Sequence, residues 1–418
     1  MPLIKPFTAL RPVPARAADV AAPPYDVMNA AEARRLVEGR PWSFLHISRP
    51  EVDLPEGIDP YSPPVYAKAR ENLDRMLGEG LLVRDAAPGY YLYRLTMGAH
   101  RQTGLVAAAS IEAYDRDRIK RHELTRPVKE DDRVRQIDAL NAQTGPVLLA
   151  CRARPDIDAL LAGLAAGPQG GPAETDVTAP DGIRHELWPI MDAAPVAELT
   201  AAFEGLDALY IADGHHRCAA ASRVAALRRA ANPGHTGAES YNFMLSVIFP
   251  HDQMRILDYN RVVKDLHGHS IDSLMQRLAV AFEIEGAPGP VGPERPGEFG
   301  MYLAGHWYRL ALHPGRIPYD DPVGRLDVSL LQDNLICPIL GIQDPRRDDR
   351  IDFVGGIRGL EALSARVDSG EMSVAFALHP TRMEDLMAVA DAGEVMPPKS
   401  TWFEPKLADG LASHLLTD

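Results

Sequence analysis

The chain has 418 residues, 46% of them hydrophobic and 24% charged, with a formal net charge of −14. That composition fits a soluble globular protein with room for one large or two ordinary domains. The acidic balance argues against a general grip on a nucleic acid backbone, and no apolar run reaches the ~18 residues a membrane span needs. Cys151, Cys218 and Cys337 are widely spaced in apolar surroundings. They predict reduced, buried thiols in a cytoplasmic protein, with neither a disulfide framework nor a zinc knuckle. The N-terminal residues lack the pattern of a secretory signal.

The first 60 residues are punctuated by prolines, and Asn29 is placed to cap a short helix, Ala30 to Glu38. A better helix runs from about Pro64 past Leu73 and Leu77 to Gly78 or Gly80. Two strands follow, Gly89 to Leu95 and Thr103 to Ile111, with Met97-Gly-Ala-His100 as the hairpin turn. From Val128 the charged segment 119–141 reads as helix, with Val134, Ile137 and Leu140 inward. Pro146 to Arg152 reads as a buried strand. The Gly- and Pro-bearing stretch from Ala165 to Pro172 is the natural place for a boundary between regions 1–170 and 171–418.

Beyond it come a strand at His185 to Pro189 and a helix at Pro195 to Gly205. Next is the corner Ala208-Leu-Tyr-Ile-Ala-Asp-Gly-His-His-Arg217, followed by an alanine-rich helix that Asn232-Pro-Gly234 ends. Asn242 to Pro250 is a strongly apolar strand, expected beside the strand carrying Ile211. A helix from Ile271 to Phe282, a loop from Gly286 to Gly297, a hairpin (Gly300 to Leu303, Trp307 to Leu312) and a helix from Val328 to Ile336 complete the series. Thr381-Arg-Met-Glu384 has the spacing of a capping box. Helices and strands alternate without a strict β-α-β-α rhythm, which favours a mixed α/β or α+β fold.

The corner carries the most chemistry. A strand, a glycine turn and a helix N-terminus leave outward backbone N–H groups that attract anions. Arg217 adds a planar cation, and Asp213, His215 and His216 add an acceptor and two groups able to titrate near neutrality. A plain turn with solvated histidines fits the same residues. A second constellation joins Arg121, His122, Glu123 and Thr125 to Lys129 and Arg133, which share a helical face. A solvated charged helix is the alternative there. Ala22-Pro-Pro-Tyr25-Asp26 fixes a Tyr and an Asp on stiff backbone. Near the C-terminus, Lys399, Ser400, Thr401 and Lys406 are able to contact phosphate, or belong to a tail packed on the core.

Five ordered motifs together resemble the DUF1015 family: Ala-Pro-Pro-Tyr-Asp-Val (22–27), the 121–133 segment, Asn-Ala-Gln-Thr-Gly-Pro (141–146), Ile-Ala-Asp-Gly-His-His-Arg (211–217) and Met-Pro-Pro-Lys-Ser-Thr-x-Phe-x-Pro-Lys (396–406). Over residues 183–260 the Asp-Gly-His-His-Arg box is also similar to that of the ParB/sulfiredoxin superfamily, which includes free-serine kinases. This second resemblance implies a ParB/sulfiredoxin-like nucleotide-binding core and transfer of a phosphoryl group from ATP or ADP, with Mg²⁺, to a hydroxyl such as that of free L-serine. It puts Asp213 near the metal or the hydroxyl, and His216 and Arg217 on the phosphates. Glu123, then Asp26, are the candidates for the base.

Gly214, His215, Arg121, His122, Thr125, Lys129, Arg133, Lys399, Ser400 and Thr401 would complete the phosphate pocket, with Tyr25 and Asn141 toward the substrate. The implied partners are a nucleotide and a small hydroxylated molecule, with neither nucleic acid nor membrane. A nucleotide-binding regulator without turnover, and a metal-dependent phosphohydrolase using His122, His215 and Asp213, are the alternatives. All of this requires the polar segments around residues 25, 123, 213 and 399 to converge.

Overall fold

The computed structural model describes residues 1–166 and 171–417. The chain divides into two compact units, Met1–Met254 with Pro405–Asp418, and Arg255–Glu404. The boundary expected in the 165–172 loop falls in part on residues outside those described.

In the first unit, the described residues form a nine-stranded mixed sheet. Its order is Ile119–Lys120, Leu209–Asp213, Val147–Cys151, Phe243–Pro250, His100–Ser110, Tyr90–Met97, Arg184–Ile190 and Thr175–Thr178, with Ile4–Lys5 paired to His100–Ser110. The strand Leu209–Asp213 runs parallel to Ile119–Lys120, and Phe243–Pro250 parallel to Val147–Cys151; the remaining pairs are antiparallel. The strands Phe243–Pro250 and Leu209–Asp213 are therefore not neighbours as expected. Val147–Cys151, five buried residues in a row, pairs with both and separates them, as a fully apolar run can when both its faces are covered.

Helix formation follows local chemistry. Asn29 accepts from the Glu32 N–H while Glu32 accepts from the Asn29 N–H, a capping box that starts Ala30–Val37. Pro127 opens Pro127–Leu140, whose Ile137 and Leu140 are buried. Asn141, left-handed at φ 50°, closes it. One core of this unit lies between the sheet and the helix His215–Ala231, with Leu149, Ile211, Cys218 and Val224 among its members. A second gathers Phe44, Ile47, Leu73, Met76 and Leu140. Arg11 donates to Asp85 at 2.9 and 2.7 Å and Tyr91 Oη donates to the same carboxylate at 2.5 Å, so this buried charge is paired and satisfied.

The second unit holds a six-stranded sheet ordered Phe282–Ala287, His306–Leu312, Glu298–Leu303, Val374–Leu378, Tyr259–Val263 and Ile351–Gly355, and a two-stranded pair, Arg255–Leu257 with Trp402–Glu404. Several expectations need correction here. The helix from Ile271 stops at Leu278, because buried Phe282 begins a strand opposite Leu312. The helix near Val328 runs Asp327–Leu331 and passes into a π turn over Gln332–Ile336. Thr381 is not a cap: its hydroxyl donates to the Ser400 carbonyl at 2.8 Å, and Arg382 stands at the N-cap, its side chain donating to Asp385 and making no capping bond. Cys151 and Cys218 are buried, whereas Cys337 is partly exposed. Among the described residues no helix is long and apolar enough to cross a membrane.

Candidate functional site

The strand-to-helix corner forms as its residues dictate. The strand ends at Asp213 with a register shift after Ile211, and Gly214 turns the chain at φ 100° as the N-cap of His215–Ala231. A Cβ at Gly214 would stand 3.5 Å from both Arg217 Cδ and Val147 Cα, an ordinary contact, so the left-handed φ and not space calls for glycine here. No side chain caps this helix, and the Arg217 and Cys218 N–H groups both donate to the Gly214 carbonyl, at 2.9 and 3.0 Å.

Arg217 is held on several sides. One terminal nitrogen donates to the Pro146 carbonyl at 2.6 Å and the other to Asp26 at 3.1 Å. Its guanidinium lies 5.2 Å from the Tyr25 ring centroid, and Arg133 lies 3.9 Å from the same ring. Arg133 is fixed in turn by Asp132 at 3.0 and 2.7 Å, and Asp132 accepts from Tyr66 at 3.0 Å. Two cations thus share one aromatic ring. They wall a narrow cleft with Ser48, Gln136, Ile137, Gln143, Thr144, Gly145, Val147 and Asp409. All of these residues belong to the first unit.

Asp409 is the residue that sequence reasoning missed. It is 1% exposed, and neither carboxylate oxygen has a hydrogen-bond partner. Burial, opposed by Arg217 and Arg133 and aided by Asp26, pushes its pKa up to about 7. The Tyr25 N–H also lowers it slightly, without the geometry of a hydrogen bond. A signal was present, because Ala408-Asp409-Gly410 repeats Ala212-Asp213-Gly214, and both glycines have positive φ. The backbones of Asp409 and Ala22 exchange hydrogen bonds of 2.8 and 3.1 Å, which ties the tail to the loop carrying Tyr25 and Asp26.

The histidines play other parts. His215 is buried, and its Nε2 accepts from the His122 N–H at 3.3 Å. The proton therefore sits on Nδ1, which is 3.8 Å from Glu123. His122 is buried edge-on to His215 with centroids 4.5 Å apart, and burial pulls its pKa down to about 4. His216 accepts from the Arg126 N–H at 3.0 Å through Nε2. Burial holds His215 and His216 below the ordinary imidazole value, His215 far below it. None of the three lines the cleft.

Packing around Asp213 opposes its charge, but Lys406, at 3.5 Å, and Arg217 hold it below the usual carboxylate value. Its side chain keeps 40% of its exposure. Of the remaining expected residues, Arg121 stacks on Tyr114 at 5.2 Å and Lys129 on Tyr61 at 5.7 Å. Thr125 donates to Glu130, and Asn141 accepts from Arg228. These four do not line the cleft. Lys399, Ser400 and Thr401 belong to the second unit. There the Lys399 carbonyl accepts from Arg261 at 3.0 Å and the Ser400 hydroxyl donates to the Pro397 carbonyl at 2.6 Å. Among the described residues, no three His, Cys, Asp or Glu side chains come together as a metal site.

A mixed α+β chain with a cationic cleft at a strand-to-helix corner is the class that fold and site define. The chain belongs to the DUF1015 family, described as a protein of unknown function, whose model matches residues 4–329. No curated protein matches it. Similar solved structures include a free serine kinase in complex with AMP, at 16% identity over 71% of this chain and 86% of that one, with a TM-score of 0.34. A conserved hypothetical protein from Pyrococcus furiosus is 16% identical over 73% and 94%, with a TM-score of 0.34. SbnI with a C-terminal truncation, from Staphylococcus aureus, is 11% identical over 73% and 85%, with a TM-score of 0.37. At such scores the likeness carries no argument about function.

Proposed function

We propose that the first unit binds the phosphates of ATP or ADP in the cleft walled by Arg133 and Arg217, and transfers a phosphoryl group to the hydroxyl of a small molecule such as free L-serine. The observation that carries this reading is the pair of guanidinium groups locked against one ring, Tyr25, beside the open N-terminus of a 17-residue helix. Phosphoryl transfer asks mainly for positioning and charge stabilisation. Fixed guanidinium donors supply both, because planar forks match phosphate oxygens. Each phosphate contact is worth roughly 2–4 kcal/mol of transition-state stabilisation, by analogy with oxyanion donors.

Asp26 holds Arg217 in its orientation, Asp132 holds Arg133, and Ile137 and Val147 give the cleft an apolar wall. A nucleotide-borne Mg²⁺ fits the residues present in one form only. With no trio of protein ligands among the described residues, the phosphates would carry most of its coordination and Asp213, ionised and partly exposed, would be the protein carboxylate. Bound there, the ion would neutralise charge on the phosphoryl oxygens.

The test is to incubate the protein with Mg²⁺, ATP or ADP and a pool of amino acids and alcohols, following phosphorus products by NMR. A new phosphoester resonance supports transfer. Inorganic phosphate alone would replace this reading with hydrolysis, and binding without any product would replace it with a nucleotide-responsive regulator.

A further inference from the structure

Nine buried side-chain atoms among the described residues lack a hydrogen-bond partner, and four of them line one cleft: Ser48 Oγ, Arg217 Nε and both oxygens of Asp409. Buried polar atoms are almost always satisfied, so such a concentration at one place calls for a ligand that completes the set. The orphans are complementary. Arg217 Nε carries a donor, Asp409 offers acceptors, and each stands 3.5 Å from the point where a Gly145 Cβ would be. A hydroxyl is able to accept from the one and donate to the other. We propose that Asp409 receives the proton of the substrate hydroxyl in this cleft, with Arg217 Nε–H holding the same oxygen.

This rests on the phosphotransferase reading above and names the base that reading leaves open. The other carboxylates are spoken for: Asp26 is paired with Arg217, and Glu123 lies at His215 and outside the cleft wall. The charged and titratable groups facing Asp409 are Arg217, Asp26, Arg133 and the buried Tyr93 phenol, and the Tyr25 backbone is also against it. Their balance with burial leaves its pKa near 7, the range in which a general base works best at neutral pH. In the step itself the alcohol O–H bond breaks and its proton passes to an Asp409 oxygen. The alcohol oxygen forms a bond to the terminal phosphorus of the nucleotide. The bridging P–O bond breaks, and its electron pair stays on the departing nucleotide.

The experiment compares the full chain with Asp409→Asn, which keeps the shape and removes the base. Expected are a fall in turnover of roughly a hundredfold or more, unchanged ATP-dependent thermal stabilisation, and loss of the pH dependence. In the unaltered protein, turnover should rise with pH through about 7 and level off. A merely structural Asp409 would not set that limb. Transfer by the unaltered chain with Asp409→Asn active within about threefold overturns this proposal and leaves the phosphotransferase reading standing. Absence of any transfer by the unaltered chain overturns both. Should the variant not fold, a pH–rate profile of the unaltered chain that is flat between pH 5 and 9 (about two units to either side of the expected midpoint) overturns it without a substitution.

Discussion

The Arg133 guanidinium lies 3.9 Å from the centre of the Tyr25 ring, and that ring is also shared by Arg217 at 5.2 Å. The phenol ring gives the two guanidinium groups a shared apolar contact, while Asp26 and Asp409 offset their charge from the cleft side. Tyr25→Leu removes both stacking contacts and should cost about 1–2 kcal/mol of stability, read from urea unfolding. Tyr25→Phe keeps the ring and should lose less than half of that. Equal losses would assign the effect to the hydroxyl and not to the stack.

Arg217→Ala separates site from scaffold. It removes a fork that meets Asp26 and the Pro146 carbonyl, at an expected cost of about 1–2 kcal/mol in stability for the acceptors left behind. Turnover should fall about 10²- to 10³-fold, as for the loss of an oxyanion donor. Circular dichroism and the unfolding midpoint check the first figure, and phosphoester formation checks the second. A variant that loses stability but keeps its rate would remove Arg217 from the phosphate site.

Asp409 also makes stability depend on pH with a definite sign. An unfolded Asp ionises near 3.8, whereas the buried one ionises at about 7. Across that window the native chain holds a proton that the unfolded chain has released, so stability falls as pH rises from about 4 to 7. Asp327 in the second unit, also raised to about 7 chiefly by burial, acts the same way. His122 and His185, lowered to about 4 mainly by burial, act oppositely: stability present above 6.5 is lost as pH falls toward 4. Asp409→Asn should therefore gain stability over the unaltered chain progressively between pH 4 and 7, by at most about 4 kcal/mol. Denaturant unfolding at pH 4.5 and 7.5, about half a unit outside the window at its upper end, measures it. A constant difference would contradict the raised pKa.

The two Ala-Asp-Gly turns differ in how tightly they are packed. A Cβ at Gly410 (φ 88°) would meet Phe44 atoms at 2.7 and 2.8 Å, whereas one at Gly214 (φ 100°) meets nothing nearer than 3.5 Å. Gly214→Ala should cost about 1–2 kcal/mol from backbone strain alone. Gly410→Ala adds overpacking and should cost about 1–3 kcal/mol more. Thermal unfolding of the pair ranks them, and the reverse order would contradict the packing at Phe44.

Local structure was largely legible in the residues. Leu209 to Ala212 favour a strand and Gly214 breaks it, so the corner formed where expected. Asn29 with Glu32 made its cap, and Pro127 opened its helix. Tyr25, Asp26, Arg133 and Arg217 were named from their motifs and do meet. What sequence could not supply was burial. Asp409 sits in a tail without apolar periodicity, and its environment comes from the backbone bridge to Ala22 and the arginines across the cleft. The histidines misled for the same reason. Side chains that read as phosphate contacts are spent on the N–H groups of His122 and Arg126. Thr381 had the spacing of a cap, but its hydroxyl found the Ser400 carbonyl.

The cradle of Arg133 and Arg217 is tested most directly by titrating ATP and ADP, with Mg²⁺, into the full chain by calorimetry, alongside folded Arg217→Ala. We expect saturable binding to the unaltered chain and affinity at least tenfold weaker in the variant, the loss of about 1.4 kcal/mol or more. No measurable heat with either nucleotide, or equal affinity in both proteins, would contradict the account.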